Sequence, residues 1–198
     1  MIPPDGVEAL EALEQGLVVA LPTDTVYGLA ARIDRPGALA AVFAAKGRPA
    51  DLALPVLIGA DDQIPEVAGQ WPEVADLLAS SFWPGPLTLV VPGVDGLGRR
   101  LGSGGTVGVR RPRHALVQSM CTAAGPLAVT SANVHGHPPC TTVAEVASAF
   151  PGGELAVVVD GGCCDGIPST VVDCTATPPA CLRDGALPWD RIDAVLSS

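Results

Sequence analysis

Aromatic side chains and long apolar runs are both scarce in this chain of 198 residues. Aromatic residues make up only 4%, which disfavours a protein that stacks many bases on aromatic platforms. No apolar run reaches the roughly 18–20 residues needed to span a bilayer, and the N-terminus lacks the basic and apolar regions of a signal peptide. We therefore expect a cytoplasmic protein without membrane contact.

The usual motifs of metal and nucleophile chemistry are also missing. The chain has six cysteines but no CxxC pair, and the adjacent Cys163 and Cys164 are poorly spaced for zinc. The motifs GxSxG, HExxH, GxGxxG and GxxxxGK[ST] are absent, and no acid–base partner can be assigned to any histidine. We expect reduced, structural thiols, no metal ligated by the protein, and a chemistry that needs no protein nucleophile.

Acidic residues are missing from one segment of an otherwise acidic chain. The formal net charge is −10 and the pI is about 4.5, which argues against a nucleic-acid binder that uses its whole surface. Residues 96–144 nevertheless contain five arginines and no acidic residue. Two interpretations stay open at this point: a site for an anionic ligand, or a chance run in a chain that prefers arginine to lysine.

The composition and the hydrophobic pattern predict one folded α/β domain over residues 1–198. Hydrophobic residues make up 48% and charged residues 16%, which excludes disorder as the main state. Helices are predicted at 7–15, 36–45, 73–81, 114–124, 142–150 and 189–196. Strands are predicted at 17–21, 54–58, 87–91, 106–110, 126–130, 155–160, 170–174 and 180–183. The mingled order indicates a single mixed sheet with flanking helices.

Polar groups follow several of these elements. The segment 23–27 carries two threonines, Asp24 and the only tyrosine, and a capped turn is the structural alternative. Lys46, the only lysine, precedes Arg48, a pair that suits phosphates or carboxylates or simply ends a helix. Ser131 and Asn133 follow a buried strand, where they form either a polar turn or part of a crevice. Such residues suit an enzyme that aligns anionic substrates.

Seven motifs in order carry a resemblance to a known family. They are PTDTVYGLAA, KGRP, FWPGPLTLVV, TVGVRRPRH, PLAVTSANVHGHPP, PSTVVD and LRDGA. Together they span about residues 15–187 and resemble the threonylcarbamoyl-AMP synthase family, the YrdC-like proteins. The resemblance implies an α/β fold with an open twisted mixed sheet, flanking helices and a large basic cavity.

The resemblance also implies an activity and its partners. Members of the family are nucleotidyltransferases that join L-threonine, bicarbonate or CO2, and ATP with its bound Mg²⁺. They form threonylcarbamoyl-adenylate and pyrophosphate. A partner transferase then moves the threonylcarbamoyl group to an adenosine of tRNA, so we expect weak or no direct nucleic-acid binding by this chain.

The family signature implies roles for individual residues. The catalytic set corresponds to Lys46, Arg48, Ser131 and Asn133. The ATP site corresponds to Lys46, Arg48, Thr106, Ser131 and Arg183. The threonine site corresponds to Thr23, Tyr27, Arg110 and Ser169, with Arg110 on the substrate carboxylate and Tyr27 in the pocket wall. No protein metal ligand is implied, although Asp24 could assist ATP-bound Mg²⁺ through a water.

Two departures and two alternatives accompany the resemblance. Some relatives carry a histidine in the strand after KGRP, whereas this strand reads LPVLI. Some relatives also carry an extra C-terminal domain, and we expect closure of the pocket here to come from the chain's own loops or a partner. The alternatives are a related carbamoyl-transfer enzyme that uses carbamoyl phosphate and an RNA-binding module that uses the arginine segment.

Overall fold

A computed structural model describes residues 2–47 and 53–197. The helices are α1 (Pro4–Glu14), α2 (Pro36–Lys46), α3 (Ile64–Val67), α4 (Glu73–Phe82), α5 (Leu97–Arg100), α6 (Ala115–Ala124), α7 (Val143–Ala149) and α8 (Trp189–Leu196). The strands are β1 (Val19–Leu21), β2 (Gly28–Arg32), β3 (Val56–Leu57), β4 (Leu87–Pro92), β5 (Thr106–Arg110), β6 (Leu127–Ser131), β7 (Val157–Val158), β8 (Thr170–Asp173) and β9 (Ala180–Arg183). Within the described part of the chain, no helix has both the length and the apolar character that a membrane span requires.

All nine strands of the described residues join one twisted sheet in the order β7-β1-β2-β6-β3-β5-β4-β8-β9. Three neighbouring pairs are parallel, namely β1–β7, β3–β5 and β4–β8, and the others are antiparallel. The predicted α/β class with a mixed sheet and flanking helices is therefore confirmed. The assignment of the whole chain to one domain stays a prediction.

Local signals set several of the helix ends. The predicted capping box opens α7, because the Thr142 hydroxyl accepts from the Glu145 N–H while the Glu145 carboxylate accepts from the Thr142 N–H. Helix α2 ends at Gly47, whose φ of 60° is the left-handed conformation typical of a glycine cap. Helix α1 begins at Pro4, three residues before the predicted start, because proline fits the first helical turn.

Three elements were not predicted from the sequence. Strand β2 reads GLAAR, which has no β-branched residue, yet it is buried between β1 and β6. Helix α5 lies in a glycine-rich stretch for which the sequence predicts neither helix nor strand, and Leu97 anchors it in the core. The four-residue helix α3 follows a 3₁₀ turn at Asp61–Gln63. Tertiary burial outweighs weak local propensity in each case.

The two faces of the sheet are covered to different extents. One hydrophobic cluster packs helices α2, α4, α7 and α8 against strands that extend from β1 to β8. The second cluster packs α1 and α6 against β1, β2, β3 and β6, and contains no residue of β4, β5, β8 or β9. Among the described residues, the second face is therefore covered by a helical cluster over only about half of its width.

We expect Leu89→Ala to lower the free energy of unfolding by about 2–5 kcal/mol, because a fully buried leucine leaves a cavity in the central strand β4. Urea denaturation measures this change. The matched control is Leu17→Ala, whose side chain is 45% exposed and which should change stability by less than about 0.5 kcal/mol. Equal losses in both variants would contradict the described core.

Candidate functional site

A cavity of about 340 Å³ lies over the uncovered half of the sheet. Because side chains alternate along a strand, Val107 and Val109 of β5 enter the core while the residues between and beside them face the cavity. The strand residues that line it include Thr88, Val90, Thr106, Gly108, Arg110, Ser131, Val171, Leu182 and Arg183. The charged residues among the described lining are Arg110 and Arg183, so both charges on the wall are positive.

Arg110 ends β5 with a buried guanidinium group. Its Nε donates to the Gly85 carbonyl at 3.0 Å, Nη1 to the Thr25 hydroxyl at 3.0 Å and Nη2 to Asp24 Oδ1 at 2.5 Å. Burial lowers the pKa of Arg110, and the neighbouring Asp24 carboxylate opposes that shift. Three of the five N–H groups of the side chain are used by these partners. Because Arg110 lines the cavity, its remaining N–H groups can donate to an anionic ligand bound there.

Thr23 and Thr25 lie on the turn that follows β1, and both line the cavity. The Thr23 hydroxyl donates to the Val26 carbonyl at 2.7 Å and accepts from the N–H groups of Thr25 and Val26 at 3.1 and 3.2 Å. It also lies 2.9 Å from the Thr25 hydroxyl. The capped turn, which the sequence offered as the structural alternative, is therefore present, and its two threonines line the cavity.

Ser169 and Arg183 meet on the opposite wall. The Arg183 guanidinium donates to the Ser169 carbonyl from Nε at 3.0 Å and from Nη2 at 2.8 Å, and Nη2 also lies 3.1 Å from the Ser169 hydroxyl. The same hydroxyl is 2.8 Å from the hydroxyl of Thr88. The sequence reasoning missed Thr88, although a threonine within the apolar strand LTLVV was the available signal. The predicted ATP-side and threonine-side residues are thus directly bonded here.

Lys46, Ser131 and Asn133 form one hydrogen-bonded group although they come from two distant motifs. The Lys46 ammonium donates to the Ser131 carbonyl at 2.5 Å, to the Ser131 hydroxyl at 3.0 Å and to Asn133 Oδ1 at 2.8 Å. Lys46 is only 2% exposed, so its charge reaches the cavity through Ser131, which lines the wall. Arg48, the fourth member of the predicted catalytic set, lies outside the described residues.

Two further predicted residues differ in their placement. Thr106 lines the cavity, and its hydroxyl lies 3.4 Å from the Ser103 carbonyl. Tyr27, predicted to form part of the pocket wall, is not among the described residues that line the cavity and is fully buried. The correction has a physical reason, because the Tyr27 hydroxyl donates to the Gly162 carbonyl at 2.9 Å and is directed to that loop.

The arginine-rich segment 96–144 does not form a single basic surface in the cavity. Arg110 alone of its five arginines is among the described lining residues. Arg111 pairs with Asp61 at 3.2 Å near the surface, and Arg113 donates to the Pro84 carbonyl at 3.1 Å. The positive lining instead combines Arg110 with Arg183, which lies outside the segment. The run of arginines is therefore mostly a surface feature.

Neither a metal-ligand cluster nor a disulfide is present among the described residues. The described residues contain no group of three or more histidine, cysteine or acidic side chains that could hold a metal ion. Asp24, the predicted aid to Mg²⁺, bonds to Arg110. The six cysteines are free thiols, and burial raises the pKa of Cys121 to about 12.

A family model for the Sua5/YciO/YrdC domain, described as "Telomere recombination", matches residues 11–185. The chain belongs to this family. The resemblance inferred from the seven motifs is thereby confirmed.

Two relatives and one solved structure illustrate the similarity. The threonylcarbamoyl-AMP synthase of Pyrococcus abyssi is 41% identical over 187 residues, which cover 93% of this chain and 55% of that protein. The threonylcarbamoyl-AMP synthase of Vibrio parahaemolyticus is 35% identical over 158 residues, which cover 78% of this chain and 85% of that protein. P. abyssi Sua5 complexed with L-threonine is 40% identical with a TM-score of 0.91, over 96% of this chain and 56% of that one. The chain thus spans about half the length of the P. abyssi protein.

His114, at the start of α6, gives the site region a testable pH dependence. Its Nδ1 is buried without a hydrogen-bond partner, and burial lowers the pKa of His114, while nearby Asp24 opposes the shift. The folded protein therefore binds a proton here less readily than the unfolded chain. This contribution to stability is complete above the ordinary pKa of about 6.5 and is lost as the pH falls through that value toward the folded pKa.

We therefore expect the melting temperature to fall between pH 7.5 and pH 5.5, and to fall less in His114→Gln. The control His135→Gln changes an exposed histidine and should follow the wild-type profile. Thermal melts across this pH range measure the difference, and parallel profiles for wild type and His114→Gln would exclude the assigned role of His114.

Proposed function

We propose that this chain is an L-threonylcarbamoyladenylate synthase, a nucleotidyltransferase that uses L-threonine, bicarbonate or CO2, and MgATP. The observation that carries the proposal is the buried Arg110 guanidinium, which faces a cavity surrounded by hydroxyl groups. The names of the P. abyssi and V. parahaemolyticus relatives support the same activity. Because the chain spans about half of the P. abyssi protein, the full reaction is a proposal for this chain.

Threonine fits the Arg110 side of the cavity. The two N–H groups of Arg110 not bound to Asp24, Thr25 or Gly85 can bind the substrate carboxylate. The hydroxyls of Thr23, Thr25 and Ser169 line the space beside it and can bond to the amine and hydroxyl of the substrate. The solved complex of P. abyssi Sua5 with L-threonine supports an amino-acid site in this fold.

The nucleotide fits the side that holds Arg183, Thr106 and Ser131. Arg183 can neutralise phosphate charge directly, and Lys46 places a buried ammonium next to the Ser131 hydroxyl. Asn133 Oδ1 accepts from the same ammonium at 2.8 Å and also accepts from the Ser131 hydroxyl at 2.7 Å. The proposed catalytic set is completed by Arg48. Magnesium enters as part of the MgATP substrate, in keeping with its preference for phosphate oxygens and few protein ligands.

The proposed chemistry needs positioning rather than a protein nucleophile. The neutral amine of threonine forms a C–N bond to CO2 and loses a proton, which gives a carbamate. A carbamate oxygen then attacks the α-phosphorus of ATP, and the bond to the β-phosphate oxygen breaks to release pyrophosphate. The second step brings the anionic carbamate to the anionic phosphates, so the cations around the cavity lower the barrier by holding these groups together and stabilising the developing charge.

The product is a mixed anhydride that reacts readily with water and amines. We propose that a transferase of tRNA modification consumes it and passes the threonylcarbamoyl group to an adenosine. The net charge of −10 on this chain suits a protein that makes the small intermediate without binding the tRNA itself.

Purified protein should release pyrophosphate only when ATP, bicarbonate and threonine are all present. Ser131→Ala should lower kcat/KM by about 10- to 100-fold, because it removes a hydroxyl that lines the cavity and bonds to Lys46. The control Ser81→Ala removes an exposed hydroxyl that bonds only to its own helix and should leave the rate unchanged. A coupled pyrophosphate assay measures all of these rates. Release of pyrophosphate without threonine, or no release with all three substrates, would rule out the proposed function.

A further inference from the structure

A glycine-rich segment runs beside the turn that holds the predicted threonine site. We call residues 160–167 the strap. Its backbone includes Gly162 and Gly166 with φ of 78° and 87°, conformations that favour glycine. The strap leads directly into Pro168 and Ser169, which line the cavity. Its position therefore influences one wall of the site.

The strap is attached to the turn through the hydroxyl of Tyr27. This hydroxyl donates to the Gly162 carbonyl at 2.9 Å and accepts from the Gly161 N–H at 3.1 Å. The ring of Tyr27 is fully buried in the core, so the hydroxyl is a fixed point. Burial also raises the pKa of Tyr27, which keeps the phenol protonated and able to donate and accept at once.

A second attachment joins the strap to the contacts of Arg110. The Gly166 N–H donates to the Thr25 carbonyl at 2.7 Å, and the Thr25 hydroxyl accepts from Arg110 Nη1 at 3.0 Å. The Cys164 N–H donates to the Thr141 carbonyl at 2.9 Å on the far side. A continuous series of hydrogen bonds thus connects the strap, the turn and the buried guanidinium.

We propose that Tyr27 is a positioning residue that sets the affinity for threonine by fixing the strap against the 23–27 turn. The inference rests on the proposed function and deepens it. Tyr27 is assigned an indirect effect on threonine binding, in place of direct contact with the substrate from the pocket wall. The Tyr27 hydroxyl acts on the threonine side, since both of its contacts are to the strap, which the Gly166 N–H joins to Thr25. The Ala132 segment beside the Lys46 group is bonded to the Tyr27 backbone carbonyl instead. The affinity for MgATP should therefore not depend on the hydroxyl.

Tyr27→Phe tests this role, because it removes the hydroxyl and keeps the buried ring. The variant should fold, since Gly161 and Gly162 are exposed and water can replace the lost partner. Loss of the two hydrogen bonds should raise the Kd and KM for threonine by about 5- to 50-fold, while kcat and the KM for ATP stay within about twofold. Hydrogen exchange of residues 160–166 should become faster. Calorimetric titration with threonine measures the Kd, and the pyrophosphate assay measures kcat and both KM values.

Gly161→Ala provides an independent displacement of the strap with Tyr27 intact. A Cβ at Gly161 would lie 2.3 Å from Pro22 Cγ, so the strap must move, and the same rise in the KM for threonine is expected. The matched control is Gly37→Ala, where a Cβ meets no atom within 4 Å and no kinetic change is expected.

The outcomes separate this inference from the proposed function. If wild type binds threonine and both variants bind it equally well, Tyr27 has no positioning role and the inference is wrong. Equal losses for threonine and ATP also contradict it, because they indicate a general structural defect. If wild type itself binds no threonine, the proposed function fails and the inference with it.

Discussion

The incomplete helical cover of one sheet face determines where this protein can bind a ligand. Helices α1 and α6 cover the half that contains β1, β2 and β6, whereas in the described part of the chain β4, β5 and β8 have no such helical cover on that face. Strand alternation then places Gly108 and Thr88 at the floor of the opening, while Val107 and Leu89 of the same strands fill the core behind it. The cavity is thus a consequence of the packing.

The buried charge of Arg110 determines how the residues beside the cavity are arranged. A guanidinium removed from water needs partners, and it finds them in Asp24, Thr25 and the Gly85 carbonyl. These partners fix the turn after β1. Thr25 and Tyr27 of that turn then bond to the strap. The part of the cavity lining that is proposed to bind threonine is therefore held in place by contacts well outside the cavity.

Local patterns were sufficient to predict much of the fold. Apolar strands such as LTLVV and the capping box at Thr142 are encoded within a few neighbouring residues, and both are present. Strand β2 could not be predicted in this way, because its small residues take an extended form only between β1 and β6. The motifs also identified Arg110, Ser131 and Ser169 as candidate site residues, and all three line the cavity.

The remaining features depend on contacts between distant parts of the chain. Lys46 and Asn133 are 87 residues apart, and Tyr27 and Gly162 are 135 residues apart. No local periodicity encodes such pairs. The family resemblance implied a pocket-wall role for Tyr27, whereas in the structure its hydroxyl bonds to Gly161 and Gly162 of the strap. The five arginines of segment 96–144 illustrate the same point. Of these five, Arg110 alone is among the described lining residues, and the local charge pattern does not reveal which arginine faces the cavity.

The most direct measurement is a calorimetric titration of L-threonine into Gly108→Val, compared with wild type and Gly105→Val. A side chain at Gly108 projects from the cavity floor, where a Cβ already lies 3.1 Å from Thr88 Cγ2, whereas Gly105 has open space around it. If the open half of the sheet holds the substrate, Gly108→Val loses threonine binding by at least about tenfold, and Gly105→Val retains it. Wild-type affinity in a folded Gly108→Val variant would contradict this account.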